Sequence, residues 1–291
     1  MSRNTSIGSY YKYIIEQKPL GYTFNTNPYF KGFEFEKVNL LWWQNYGIEN
    51  WHLAFYVGAV YILAIFGIQR LMKNRPAFEL KYPLFMWNLT IGLLTIIGFI
   101  RVLPGFLRVI NEQNGLYNSI CLRSGLDIPT AYWTVAFTLS KFVELGDTIF
   151  IVLRKRPLVF LQWYHHLTAL IVTWLTAPLA EPAVRFCAVL NIGVHSLMYP
   201  YFALKAIGVK VPTYIANIIT TLQLGQMLVG LAVNVTSWYL QYTGYNCPRH
   251  PLSIKVFCFV YGSFILMFGK LFYDLVIKSK WKLKDDKRKQ S

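Results

Sequence analysis

Residues 131–153 read AYWTVAFTLSKFVELGDTIFIVL, residues 154–157 read RKRP, and residues 158–177 read LVFLQWYHHLTALIVTWLTA. Each long run is about the length a helix needs to cross a bilayer. Lipid offers a backbone no hydrogen-bond partners, so such a run must be helical. Only four residues separate the two, which makes the helices antiparallel neighbours. Reading outward, five further runs qualify: 51–69, 83–103, 183–204, 212–235 and 253–277. The expected fold class is therefore an all-α polytopic membrane protein with seven transmembrane helices. Three parts follow: an N-terminal segment over 1–50 without a signal-peptide pattern, a seven-helix domain over 51–277, and a basic tail over 278–291.

Composition agrees. The chain is 55% hydrophobic and only 14% charged, where a soluble domain carries about 25% charged residues. Its net charge of +16 needs no nucleic acid as a partner, because the positive residues fall in alternate loops. Arg70, Lys73, Arg75 and Lys81 follow the first span, Arg154, Lys155 and Arg156 the third, and Lys205 and Lys210 the fifth. The tail adds seven more, from Lys278 to Lys289. The remaining loops mix signs, as in Glu112 with Arg123 and Asp127. An excess of Lys and Arg marks the cytosolic side, so the N-terminus is expected in the lumen and the C-terminus in the cytosol. Lys287 and Lys289 resemble a dilysine signal for retrieval to the endoplasmic reticulum, and Asn4-Thr5-Ser6 is a glycosylation acceptor on the luminal side. Asn88 and Asn234 begin the same triplet but lie in or against spans, where glycosylation is not expected.

Of the four cysteines, Cys187 and Cys258 fall inside spans and read as small apolar core residues. Cys121 and Cys247 fall in two loops that share the luminal side. The lumen permits disulfides, so a Cys121–Cys247 bridge is expected.

Ionisable groups within spans are costly and by default mark a functional interior. The third span carries Lys141, Glu144 and Asp147, then Thr148, spaced to share one helix face. The fourth carries Gln162, His165 and His166, the fifth Asn191 and His195, and the sixth Thr220, Gln223 and Gln226. Lys141 with Glu144 can also be read as an ion-pair ladder that only holds helices together. Depth argues for more. Counted from the basic loops, Glu144, His165, His195 and Gln223 all lie roughly 13–16 Å into the membrane. The polar faces then converge on one chamber reached from the basic side. An imidazole there can serve as base, acid or nucleophile. Cations at the mouth suit a polyphosphate, and an apolar channel suits a long acyl tail; acyl-CoA has both parts.

These residues resemble the ELO family of very-long-chain fatty-acid elongases. Lys141-Phe-Val-Glu144-Leu-Gly-Asp147-Thr148 matches the family's Lys-x-x-Glu-x-x-Asp-Thr box. Gln162-Trp163-Tyr164-His165-His166 is similar to its His-x-x-His-His box. Asn191, then His195 through Met198, Tyr199 and Tyr201 to Phe202, resembles its Asn-x-x-x-His-x-x-Met-Tyr-x-Tyr-Tyr box, and Thr220-x-x-Gln223-x-x-Gln226 its Thr-x-x-Gln box. All four occur in family order. Two positions depart: Gln162 stands for the first histidine and Phe202 for the last tyrosine. The Trp-Tyr before the histidine pair resembles the branch acting on saturated and monounsaturated chains.

The resemblance implies an acyltransferase, a very-long-chain 3-oxoacyl-CoA synthase. It would condense a long-chain acyl-CoA with malonyl-CoA to 3-oxoacyl-CoA, carbon dioxide and CoA, with helices two to seven ringing an acyl tunnel. His165 would carry the acyl group, and His195 would act on the malonyl thioester. Glu144, Asp147 and His166 complete the catalytic set. Lys141, Gln162, Asn191, Tyr199, Gln223 and Gln226 form the expected substrate-binding set. No metal or cofactor is expected. Candidate partners are the two CoA substrates, membrane lipid, a second copy of the chain, and the reductases and dehydratase of the elongation cycle.

Two rivals remain at this stage. A membrane di-iron oxidase also uses His-x-x-His-His clusters, but such sites take about eight histidines. This chain has His52, His165, His166, His195 and His250, which leaves a single metal ion open. A seven-span receptor shares the topology but needs no charged cluster opening toward the cytosol.

Overall fold

The computed structural model describes residues 31–122, 127–177 and 181–278. Asn4, Arg123 and the Lys287/Lys289 tail lie outside them. The described residues form a 3-10 turn at Glu34–Glu36 and nine α-helices, with no strand among them. They are α1 (Leu40–Glu49), α2 (Leu53–Leu71), α3 (Lys81–Asn111), α4 (Gly115–Cys121), α5 (Ile128–Leu153), α6 (Phe160–Thr176), α7 (Val184–Ala206), α8 (Thr213–Tyr242) and α9 (Pro251–Phe272). A π-helical turn, Tyr273–Ile277, prolongs α9.

Local chemistry sets the helix starts. Asp127 caps α5 by accepting from the Thr130 N–H at 2.8 Å, with Pro129 in the first turn. His250 caps α9 in the same way through Nδ1, at 3.1 Å from the Leu252 nitrogen, ahead of Pro251. A proline there costs no hydrogen bond, because the first-turn N–H groups have no intrahelical partner.

Helices occupy all seven regions marked by the apolar runs. Five of them, α2, α3, α7, α8 and α9 with its π-helical turn, are long and apolar enough to cross a membrane. The other two are α5, whose three charges lower its hydropathy, and α6, which has 17 residues. Two ends differ from expectation. α3 continues past 103, through Pro104 to Asn111, and α8 continues past 235 to Tyr242. Hydropathy marks where an apolar run stops; a helix continues wherever its backbone bonds can still form.

The bundle is apolar outside as well as inside. Leu63, Phe259 and Leu266 are each more than 70% exposed, a pattern that suits lipid rather than water. This is a multi-pass membrane protein. Within, Tyr61 and Ile65 of α2 pack with Leu145 and Val152 of α5 and Leu170 and Trp174 of α6. A second cluster joins Val172, Val184, Met227, Phe257, Phe264 and Phe268, from α6 to α9.

The stretch before α2 packs against this bundle. Trp43 of α1 joins the first cluster and meets Trp174 edge to face. Glu36 is fully buried and accepts from Arg101 at 2.8 and 2.5 Å, from the Trp133 indole at 2.9 Å and from the Phe33 N–H at 2.9 Å. Burial pushes the Glu36 carboxyl up, but Arg101 and the two N–H donors outweigh it and hold it below its ordinary value of 4.5. A carboxylate depressed on folding stabilises above its unfolded pKa, and that stabilisation is lost as pH falls through the folded value. Proteolysis within residues 31–40 is therefore expected to accelerate below about pH 4.5, and Glu36→Gln to abolish that pH dependence.

Among the described residues, a tight knot lies at the end of the bundle opposite the basic loops. Arg249, almost wholly buried, donates to Glu181 at 2.8 Å, Ser237 at 2.8 Å and Asn234 at 2.9 Å. Gln241 donates to the Cys247 and Arg249 carbonyls at 2.7 and 2.6 Å. Beside it Cys121 and Cys247 meet, their Cα atoms 4.7 Å apart. Mapping of non-reduced peptides from intact membranes is expected to recover the 121–247 pair as one linked species; two free thiols would overturn it. Such a link closes a long loop and contributes about 4–5 kcal/mol in the chain-entropy account.

Candidate active site

α5 supplies the charges. Lys141 Nζ lies 2.7 Å from Glu144 Oε1 and donates to Asn191 Oδ1 of α7 at 2.9 Å. Ser140 adds a second donor to the same Glu144 oxygen at 2.8 Å. Both charged side chains are almost wholly buried, so the ion-pair ladder read from their spacing does form. His195 of α7 is attached to it from two sides: Nδ1 is 3.7 Å from Glu144 Oε1, and Nε2 is 3.3 Å from Asn191 Nδ2.

One turn on, Asp147 accepts from the Trp87 indole of α3 at 2.6 Å and from the Tyr199 hydroxyl of α7 at 2.8 Å. Trp87 can come this close because residue 146 is glycine; a Cβ there would lie 2.6 Å from the Trp87 ring. His166 Nε2 stands 3.9 Å from Asp147 Oδ2 and 2.9 Å from Gln162 Nε2. The Gln162 amide can donate to or accept from this ring nitrogen, according to the tautomer of His166. Thr148, next in the box, accepts from Tyr61 of α2 at 2.8 Å.

His165 has different surroundings. Its ring packs on Phe264 and Phe268 of α9, at centroid distances of 4.6 and 5.5 Å, and on His166 at 5.6 Å. Its Nδ1 is buried and has no hydrogen-bond partner.

Two cavities flank this imidazole. The larger, about 500 Å³, is lined by His165, His166, His195, Asp147, Gln162 and Tyr199, with Gln223 and Gln226 from α8 and with Arg154 and Lys205 toward the basic loops. The smaller, about 80 Å³, runs the other way between α5, α6, α7, α8 and α9, past Leu190, Val260 and Phe264 to Cys187 and Tyr261. Lys141 and Asn191 line this second space, and His165 and Gln226 line both. Glu144 lines neither; it stands behind His195. Gln223 also donates to Met198 Sδ at 3.2 Å.

Trp87, Tyr61, Phe264 and Phe268 were not legible as site residues. Three sit in apolar runs whose periodicity marks them only as helix. Trp87 had a signal, since its indole N–H needs an acceptor in an apolar span and a mid-helix glycine lies beside the charged box. No group of three or more His, Cys, Asp or Glu side chains arranged to hold a metal ion occurs among the described residues.

The family model described as GNS1/SUR4 (ELO) matches residues 46–284. Over 230 residues the chain is 43% identical to very long chain fatty acid elongase 6 of Drosophila melanogaster, covering 78% of this chain and 72% of that one. It is 38% identical over 253 residues to the Rattus norvegicus protein of the same name, covering 84% and 92%. With human very long chain fatty acid elongase 3 the identity is 35% over 237 residues, covering 81% and 87%.

Proposed function

Because the chain belongs to the ELO family of very-long-chain fatty acid elongases, we propose that it catalyses the condensing step of elongation, acyl-CoA plus malonyl-CoA giving 3-oxoacyl-CoA, carbon dioxide and CoA. The observation that carries this reading is the position of His165 between the two cavities. A CoA thioester in the polar chamber would meet this imidazole, with the first few methylenes of the acyl chain entering the narrow, mostly apolar space.

The steps follow from that placement. A His165 nitrogen attacks the thioester carbonyl carbon, the C–S bond breaks, and CoA leaves as a thiolate that takes up a proton. The acyl-imidazole would remain deep in the bundle against Phe264 and Phe268, where limited access of water slows its hydrolysis. Malonyl-CoA then occupies the chamber. Its C–C bond to the carboxylate breaks, carbon dioxide departs, and the electron pair left on the α-carbon attacks the acyl carbon. Cleavage of the C–N bond restores the imidazole. His195, held by Glu144 and Asn191, acts on the malonyl thioester oxygen. Asp147 and His166 orient the His165 side of the chamber. Lys141 acts through Glu144 and Asn191, while Tyr199, Gln223 and Gln226 hydrogen-bond substrate.

The proposed setting is the endoplasmic-reticulum membrane, with the basic loops and the chamber mouth cytosolic and the Cys121–Cys247 end luminal. There the helices ring the acyl site in a seven-span arrangement. Purified protein incubated with a panel of acyl-CoAs and labelled malonyl-CoA should yield 3-oxoacyl products two carbons longer; no such product from any chain length would overturn the reading.

Gln162 supplies a sharper check. It bonds His166 through an amide, which cannot take a proton at neutral pH. Gln162→His should keep turnover within about tenfold, since orientation rather than proton transfer is at stake. A gain of several orders of magnitude would show that a proton carrier is missing.

A further inference from the structure

A third cavity, about 570 Å³, lies at the basic end between α2 and the α5–α6 turn. It shares no lining residue with the chamber. Arg70, Lys73, Lys155 and Arg156 line it, and no acidic residue does. None of the four has a carboxylate partner among the described residues. The Arg154-Lys155-Arg156 turn thus divides its charges: Arg154 faces the chamber, the other two this outer space.

Two further observations show how the cations are arranged. Lys155 sits at φ 52°, a left-handed conformation that a glycine would take more easily. Its ammonium donates to the Lys73 and Arg75 carbonyls at 3.1 and 3.0 Å, tying the turn to the end of α2. A strained non-glycine residue held in this way often marks a functional constraint. The second is a stripe along α2. Leu63, Phe66 and Arg70 follow at steps of three and four, so they share one face, and Lys73 lies in the turn just past the helix end. Leu63 is 74% and Phe66 43% exposed on the apolar flank. One face therefore runs from apolar to cationic where the bundle leaves the bilayer, the pattern of a lipid tail and its headgroup.

We propose that this cavity binds the phosphorylated headgroup of an anionic membrane phospholipid, with the acyl tail lying along Phe66 and Leu63 of α2. Cations near a membrane surface each contribute about fivefold to anionic-lipid binding. The outer position, apart from the chamber, favours membrane lipid over the phosphates of a CoA substrate as occupant.

The test titrates the full chain in detergent with phosphatidylinositol 4-phosphate or phosphatidylcholine, read by native mass spectrometry. Arg70→Gln, Lys73→Gln and Arg156→Gln are combined, and Lys155 is kept because it ties the turn. The triple variant should bind the phosphoinositide about 100-fold more weakly, with phosphatidylcholine binding unchanged. Lys210→Gln, Lys270→Gln and Lys278→Gln together remove equal charge at the same end and should leave affinity within about threefold. A photoreactive phosphoinositide should label peptides containing residues 66–73 and 155–158 in the unaltered protein, whether or not the triple variant folds. Equal affinity in the triple variant, or labelling only elsewhere, would overturn the proposal. So would displacement of the lipid by CoA or inorganic phosphate, which would make the pocket a general phosphate site.

Discussion

Replacement of His165 by alanine is expected to abolish two activities at once: condensation, and the release of CoA from acyl-CoA in the absence of malonyl-CoA. Both should fall by about 10³-fold or more, because in the proposed mechanism this nucleophile carries the first bond formed, and His166 and His195, in the same chamber, are held by Gln162 and by Glu144 and Asn191. The nearest thiol lining either cavity is Cys187, at the far end of the narrow one. Acyl-CoA alone should leave an acyl mass on the peptide that contains His165 in the unaltered protein. An adduct on another peptide, or CoA release that requires malonyl-CoA, would remove the covalent assignment while leaving the condensation intact.

The second large effect concerns Lys141 and Glu144. Their side chains are only 4% and 3% exposed. Lys141→Met leaves a buried carboxylate without its cation and should cost about 3–5 kcal/mol of stability. Adding Glu144→Leu removes the orphaned charge and should restore thermal unfolding to within about 1 kcal/mol of the parent. Turnover of the double variant should nevertheless stay down about 100-fold, because Glu144 faces His195 Nδ1 and Lys141 holds Asn191 against the same ring. A double variant with full turnover would make the pair a helix fastener and nothing more.

Much of the candidate chamber's lining was legible in the chain itself. Spacing by threes puts side chains on one face whatever the packing, and hydropathy marks the long apolar runs that became helices. Asp147, Gln162, His166 and Gln223 could therefore be grouped before their contacts were known, since each stands at a helical period from another polar residue at similar depth. Rotation of one helix against another was not legible. It decides that Glu144 stands behind His195 while Asp147 lines the chamber, although both lie on the same helix only three residues apart. Nor could periodicity announce Trp87, whose partner is sixty residues away, or the seating of Glu36 between Arg101 and Trp133. Those contacts depend on which surfaces meet.

The Arg249 knot has a kinetic corollary. Among the described residues the far end of the bundle is filled by Arg249 with Glu181, Asn234 and Ser237 beside the joined cysteines, so the proposed enzyme would work like a flask with its neck at the basic end. Whatever enters by the Arg154 and Lys205 rim would then back out past it. The CoA freed by the first substrate, the incoming malonyl-CoA and the finished product then queue for the same passage, and each must clear it before the next. Free CoA should accordingly slow turnover by obstructing traffic in both directions, and the longest products should be the slowest to leave.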